Sequence, residues 1–209
     1  MMKIDIVSAR PDRAGKYRVH FSDGSSMGLY RQTVEDYGLY AGKELTEEEM
    51  SALRRDAGKM SAKMRAVRIV AASNVSVGDL EHRLISKGEN PADAKQAVQW
   101  MCQMDILDDR RTAEQIVARC ISKGYGLARA KQALHEKRIP KDLWQEVLED
   151  YPEQTESIME FLRNRLGECW DQKDLRKATD ALLRRGHSYQ QIRKALAMLG
   201  EDSFFQEED

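Results

Sequence analysis

Apolar residues recur with two different periods in this chain. Over residues 2–30 they alternate: "KIDIV" places Ile4 and Ile6 on one side of a strand, and "KYRVHF" does the same with Tyr17, Val19 and Phe21. Between the second strand and a third, "MGLY", stands "SDGSS", a hairpin turn in which Gly24 supplies a positive φ. These segments predict a small β-meander. "TEEEMSALRR" then carries Thr46 and, three residues on, Glu49, the pair of a capping box that starts a helix. Residues 1–58 are therefore expected to form a β-meander plus helix.

From Met60 onward the period is helical, and it repeats. When Gly88, Arg138 and Gly186 are aligned, Leu84, Leu134 and Leu182 coincide four residues earlier, and Leu80, Ala130 and Ala178 eight earlier. Ala94, Trp144 and Ile192 fall six later; Val98, Leu148 and Leu196 fall ten later. A repeat of this length is a stack of helical units, each too small to bury its apolar face without neighbours. The fold class that follows is mainly α: tandem three-helix, helix-turn-helix-like repeats in an elongated curved array behind the β-meander. The expected units are 60–107, 108–151 and 152–199, with an acidic tail at 200–209.

One stretch, "CISKGYGLARAKQALHEKRIP" (120–140), has glycines among basic residues and invites comparison with a phosphate-binding loop. A Walker loop ends in Gly-Lys-Ser/Thr, whereas here Lys123 precedes the glycines and no Ser or Thr follows Gly126. A dinucleotide fingerprint needs three spaced glycines after a strand, but Ala113, Ile116, Val117, Cys120 and Ile121 have helical spacing. The local expectation is punctuation. Gly124 ends one helix in a left-handed conformation, the next begins near Leu127, and Pro140 opens a third.

Net charge is −1, which does not by itself point to nucleic acid, yet the charge is unevenly placed. Residues 110–141 hold 9 Lys/Arg against 2 acids, residues 142–160 hold 7 acids and no base, and 201–209 hold 5 acids and no base. Basic and acidic faces thus alternate. Cys102, Cys120 and Cys169 are odd in number and lie on apolar helical faces without CxxC or zinc spacing, so core packing in a reducing compartment is expected. No apolar run approaches the ~20 residues of a membrane span, and the N-terminus lacks a signal-peptide core. A cytoplasmic protein is the expectation. Four scattered histidines and the absence of a spaced nucleophile–base pair suggest no catalytic site. No metal or cofactor is expected, because Asp108 and Asp109 suit the start of the helix near Arg110 better than ligation.

The middle unit carries a resemblance. "ILDDRRTAEQIVARCISKGYGLARAKQALHEKRI" resembles the signature of the RecX family of RecA regulators, through Leu107, Asp108, Asp109, Ala113, Arg119, Lys123, Gly124, Gly126, Arg129, Leu134, Lys137 and Ile139. It departs at Arg138, where the family usually has Gly, and at Thr112, where Phe is common. "VGDLEHRLISKG" and "LLRRGHSYQQIRKAL" resemble the outer units. The resemblance implies a noncatalytic regulator that binds the RecA–DNA filament and limits its growth. It also implies inhibition of RecA ATPase, strand exchange and co-protease activity in recombination and SOS repair. The partner implied is the RecA filament, with weaker contact to single- or double-stranded DNA, no membrane, and a monomeric state.

The residues expected to face partner or DNA are Arg111, Arg119, Lys123, Tyr125, Arg129, Lys131, Lys137, Arg138, Arg184 and Arg185. Tyr125, between two glycines, has no helical face to bury it, whereas Trp144 falls on an inward position and Trp170 near a helix junction. The alternative is a helix-turn-helix protein acting on DNA directly. Such a protein concentrates Arg, Asn or Gln on one exposed helix to read base edges, whereas here the basic residues spread over three units.

Overall fold

The computed structural model describes residues 1–9, 15–167 and 170–199. The chain divides into two compact units, Met1–Leu107 and Asp108–Asp209.

In the first unit, β1 (Met2–Ala9), β2 (Lys16–Phe21), β3 (Ser26–Tyr30) and β4 (Glu44–Leu45) form an antiparallel sheet in the order β3-β2-β1-β4. The hairpin turn has Gly24 at φ 82°, and Asp23 accepts the Ser25 N–H at 2.9 Å. Short helix α1 (Arg31–Asp36) and strand β4 lie outside the expected meander. One strand reading also fails. Ile4 pairs with Phe21 but Ile6 pairs with His20, so a β-bulge reverses the alternation between them. Ile4 is fully buried and Ile6 is 55% exposed; Val7, opposite Val19, packs against the core in its place.

Helix α2 (Glu47–Ala72) starts at the expected capping box, Thr46 with Glu49. It continues through residues 58–60, where a domain boundary was expected. Met50 and Leu53 at its start join the sheet core, while Ala62 and Ala66 join the core formed with α3 (Val77–Ser86) and α4 (Pro91–Gln103). Gly58, mid-helix, lets Asp93 approach: a Cβ there would lie 2.6 Å from the Asp93 carboxylate.

The second unit holds two three-helix repeats. Helices α5 (Asp109–Ser122), α6 (Leu127–Glu136) and α7 (Asp142–Leu148) surround Ala113, Val117, Leu134 and Ile139. Helices α8 (Thr155–Leu166), α9 (Gln172–Arg184) and α10 (Tyr189–Met198) surround Ile158, Leu162, Ala178, Leu182, Ile192 and Leu196. Asp108 caps α5 by accepting the Arg111 N–H. Pro140 stands before a turn, and the first residue of α7 is Asp142.

The repeat register is visible in the backbone. Leu84, Leu134 and Leu182 are all fully buried, and Gly88, Arg138 and Gly186 all have positive φ (87°, 53° and 89°). Each closes its helix with the same two bonds, as at Gly186→Leu183 O and His187→Leu182 O, which satisfy carbonyls that a helix end otherwise leaves unpaired. Where the family pattern has Gly, Arg138 is the non-glycine member of the set. Trp144 and Trp170 are half-buried against their repeats' cores, and Trp144 Nε1 donates to Ile139 O at 3.1 Å. Cys102 is half-buried and Cys120 buried; Cys169 and the acidic tail lie outside the described residues.

Candidate functional site

The two glycines of the middle repeat have different jobs. Gly124 takes φ 63° after α5 and closes it through Gly124→Ile121 O and Tyr125→Cys120 O. Gly126 has φ −77° and ψ 165°, which any residue can adopt. Its lack of a side chain matters because the third repeat lies against it: a Cβ would fall 2.0 Å from Gly186 O. At this contact the Gly126 N–H donates to Arg185 O (3.0 Å) and the Ala128 N–H donates to Gly186 O (3.2 Å). Free amides at the start of α6 thus meet free carbonyls just past the end of α9, and each satisfies the other.

His187 completes the junction. It is buried, and its Nε2 lies 3.0 Å from Gly124 O. Because a carbonyl only accepts, Nε2 carries the proton, which leaves Nδ1 buried without a partner among the described residues. Burial lowers the His187 pKa; the bond to Gly124 opposes this and the nearby Arg185 charge adds to it. Across the same turn Tyr151 donates its hydroxyl to Tyr125 O at 2.7 Å, and burial pushes the Tyr151 pKa up to about 12.

Beside this junction the two repeats frame a cleft of ≈ 410 Å³ lined by Tyr125, Arg129, Phe161, Arg165, Ala181, Arg184 and Arg185. Four arginines and two aromatic residues line it, with no acid among them. Arg185 is held over the Phe161 ring, 4.4 Å from its centre, and Lys123 lies 6.0 Å from the Tyr125 ring centre. Arg129 pairs with Glu136 at 3.2 Å. Arg129 also stands in the first turn of α6, where no acid offsets the positive helix end and a cation is disfavoured.

Of the ten residues expected from the sequence, the structure brings Tyr125, Arg129, Arg184 and Arg185 into this cleft, with Lys123 beside Tyr125. Arg111, Arg119, Lys131 and Arg138 are exposed and Lys137 is half-buried, and none of them lines it. Phe161 and Arg165 were missed. They follow the acid-rich run in α8, and their spacing of four residues was the available signal. Part of the basic excess is neutralised locally, since Arg110 pairs with both Glu114 and Glu146. Among the described residues no cluster of three potential metal ligands occurs, and no helix is long and apolar enough to cross a membrane.

Residues 108–148, which contribute Tyr125 and Arg129 to the cleft, match the model of the family described as RecX, second three-helix domain. Regulatory protein RecX of Vibrio parahaemolyticus is 27% identical over 152 residues, covering 71% of this chain and 98% of that protein. Regulatory protein RecX of Clostridium acetobutylicum is 23% identical over 199 residues, 91% of this chain and 92% of that one. The middle repeat of this chain matches the RecX family's second three-helix domain, and most of the chain is similar to RecX proteins. These relatives are named as regulatory proteins. The family fold is found here as well. The crystal structure of regulatory protein RecX superposes with a TM-score of 0.61 at 18% identity, covering 96% of this chain and all of that one. RecX from Lactobacillus salivarius gives 0.57 at 20% identity, covering 68% of this chain and 97% of that one.

Proposed function

We propose that this protein is a noncatalytic regulator of RecA that binds the RecA–DNA filament, limits its growth and inhibits its ATPase, strand exchange and co-protease activity. The observation that carries the reading is the arginine cleft at the junction of the second and third repeats, in a chain similar to proteins named as regulators. A concave basic site suits a polyanionic or acidic partner, and charge spread over several helices suits an extended one. The protein works in the cytoplasm as a monomer. Direct action on DNA as a helix-turn-helix protein is the second reading. It is disfavoured because the cleft draws its arginines from α6, α8 and α9 and not from one recognition helix.

Cosedimentation with RecA assembled on single-stranded DNA, with RecA ATPase measured in parallel, tests the reading. The wild-type chain is expected to pellet with filaments and to slow hydrolysis. Arg184→Glu with Arg185→Glu is expected to keep the helical circular dichroism spectrum, since both side chains are exposed and exposed charge contributes little stability, and to lose inhibition. A wild-type chain that neither pellets nor slows hydrolysis rejects the regulator, and a folded double variant with unchanged inhibition removes this surface from it.

A further inference from the structure

The cleft has more in it than charge. Arginines at helix C-termini are common because they complement the helix dipole, and Arg165, Arg184 and Arg185 sit at or just beyond the ends of α8 and α9. Two features go beyond that explanation. The carbonyls of Ala181, Leu182 and Leu183 at the end of α9 are already taken by the amides of Arg185, His187 and Gly186, and Arg129 joins the cluster from a helix start, where a cation is disfavoured. The cluster also includes two half-buried rings at its wall, one of them already carrying a guanidinium. Cationic groups that take phosphate beside rings that take a base face are the two components by which proteins hold single strands.

We infer that this cleft is a subsite for one nucleotide of a single-stranded nucleic acid, with phosphate held by Arg129, Arg165, Arg184 and Arg185 and the base laid against Tyr125. The inference rests on the cleft facing a partner, as in the function proposed above, but does not require that partner to be RecA. The cleft's volume of ≈ 410 Å³ lies in the range of small-ligand sites, which suits one nucleotide. A duplex fits poorly: its bases are stacked and paired, so none can reach a ring inside a concave site. Tyr125 is the ring that meets the base because Arg185 lies over Phe161 at 4.4 Å, whereas Lys123 stands 6.0 Å from the Tyr125 ring, at the limit of such a contact.

The test uses the full chain and fluorescein-labelled oligothymidylate of 15 nucleotides, with no RecA present. Oligouridylate and a duplex of the same length are run beside it. Tyr125→Phe keeps the ring and is expected to bind as wild type. Tyr125→Leu keeps apolar bulk without the ring and is expected to bind roughly 5- to 150-fold more weakly, with the same salt slope. Arg165→Ala, Arg184→Ala and Arg185→Ala together are expected to flatten the slope of log K against log salt by about 0.7–1.4, for the one or two phosphates flanking a bound nucleotide. Binding of either oligonucleotide with these dependences supports the proposal, and the tighter one identifies the sugar. Equal affinity of Tyr125→Phe and Tyr125→Leu, a duplex with the same Tyr125 dependence, or no binding by the wild type overturns it. RecA ATPase inhibition by the same variants separates the two readings. Lost inhibition with unchanged strand binding makes the cleft a protein-facing surface, which overturns this inference and leaves the regulator. Lost strand binding with intact inhibition supports the inference and takes the cleft out of RecA control.

Discussion

Gly126→Ala tests the junction on which the cleft is built. The backbone at Gly126 has φ −77°, so alanine is conformationally welcome there. In open space the change would stabilise the protein by about 0.4–1 kcal/mol, by restricting the unfolded chain. In the structure the new methyl meets Gly186 O at 2.0 Å, Gly186 C at 2.2 Å and His187 N at 2.4 Å. These are backbone atoms and cannot swing aside, so the repeats must part. Parting breaks Gly126→Arg185 O, Ala128→Gly186 O and the His187–Gly124 bond. At ~0.5–1.5 kcal/mol each, less the unfolded-state gain, the net loss is roughly 1–4 kcal/mol. For a unit of this size that is a fall of roughly 4–30 °C in the unfolding midpoint. Thermal and urea unfolding of the full chain, followed by tryptophan fluorescence, measures it, because Trp144 and Trp170 lie in the two repeats concerned. Gly88→Ala is the control. It has φ 87° with nothing within 4 Å of its Cβ, so only the left-handed penalty of ~1–2 kcal/mol applies. A Gly126→Ala protein as stable as wild type, or more so, would show that the two repeats do not meet as described.

Arg138 is a non-glycine residue at φ 53° in a turn its repeat-mates make with glycine; Arg138→Gly is expected to raise stability by about 0.5–1 kcal/mol, and a lower urea midpoint would count against the shared turn geometry. His187 is buried with its pKa lowered, so the unfolded chain binds its proton more tightly than the folded one. Its stability contribution is complete above the unfolded value of about 6.5 and is lost as pH falls from there toward the folded pKa. His187→Gln, which can still donate to Gly124 O, is expected to shrink the difference between unfolding midpoints at about pH 7.5 and 5.5; an unchanged difference places that titration elsewhere.

Sequence by itself determined whatever depends on near neighbours. Helical period located the repeats, and Leu84, Leu134 and Leu182 are buried because residues at that spacing share one helix face. The left-handed Gly124 and the capping box at Thr46 are decided within a few residues, so they too were legible. The strand parity at Ile6 was not, because a bulge depends on how two strands pair and leaves no mark in the alternation of one. Nor was the continuity of α2, since Gly58 is tolerated mid-helix where Asp93 of another helix crowds against it. The basic stretch of the middle repeat announced a charged surface, but only packing decided which charges converge. Arg129 meets Arg184 and Arg185 because Gly126 and Gly186 let two backbones touch, and Phe161 and Arg165 arrive from a helix whose preceding run is acidic. A glycine with ordinary φ looks dispensable in a single chain segment. Here it is required by a carbonyl about sixty residues away, and distance of that kind is set by the fold and not by local spacing.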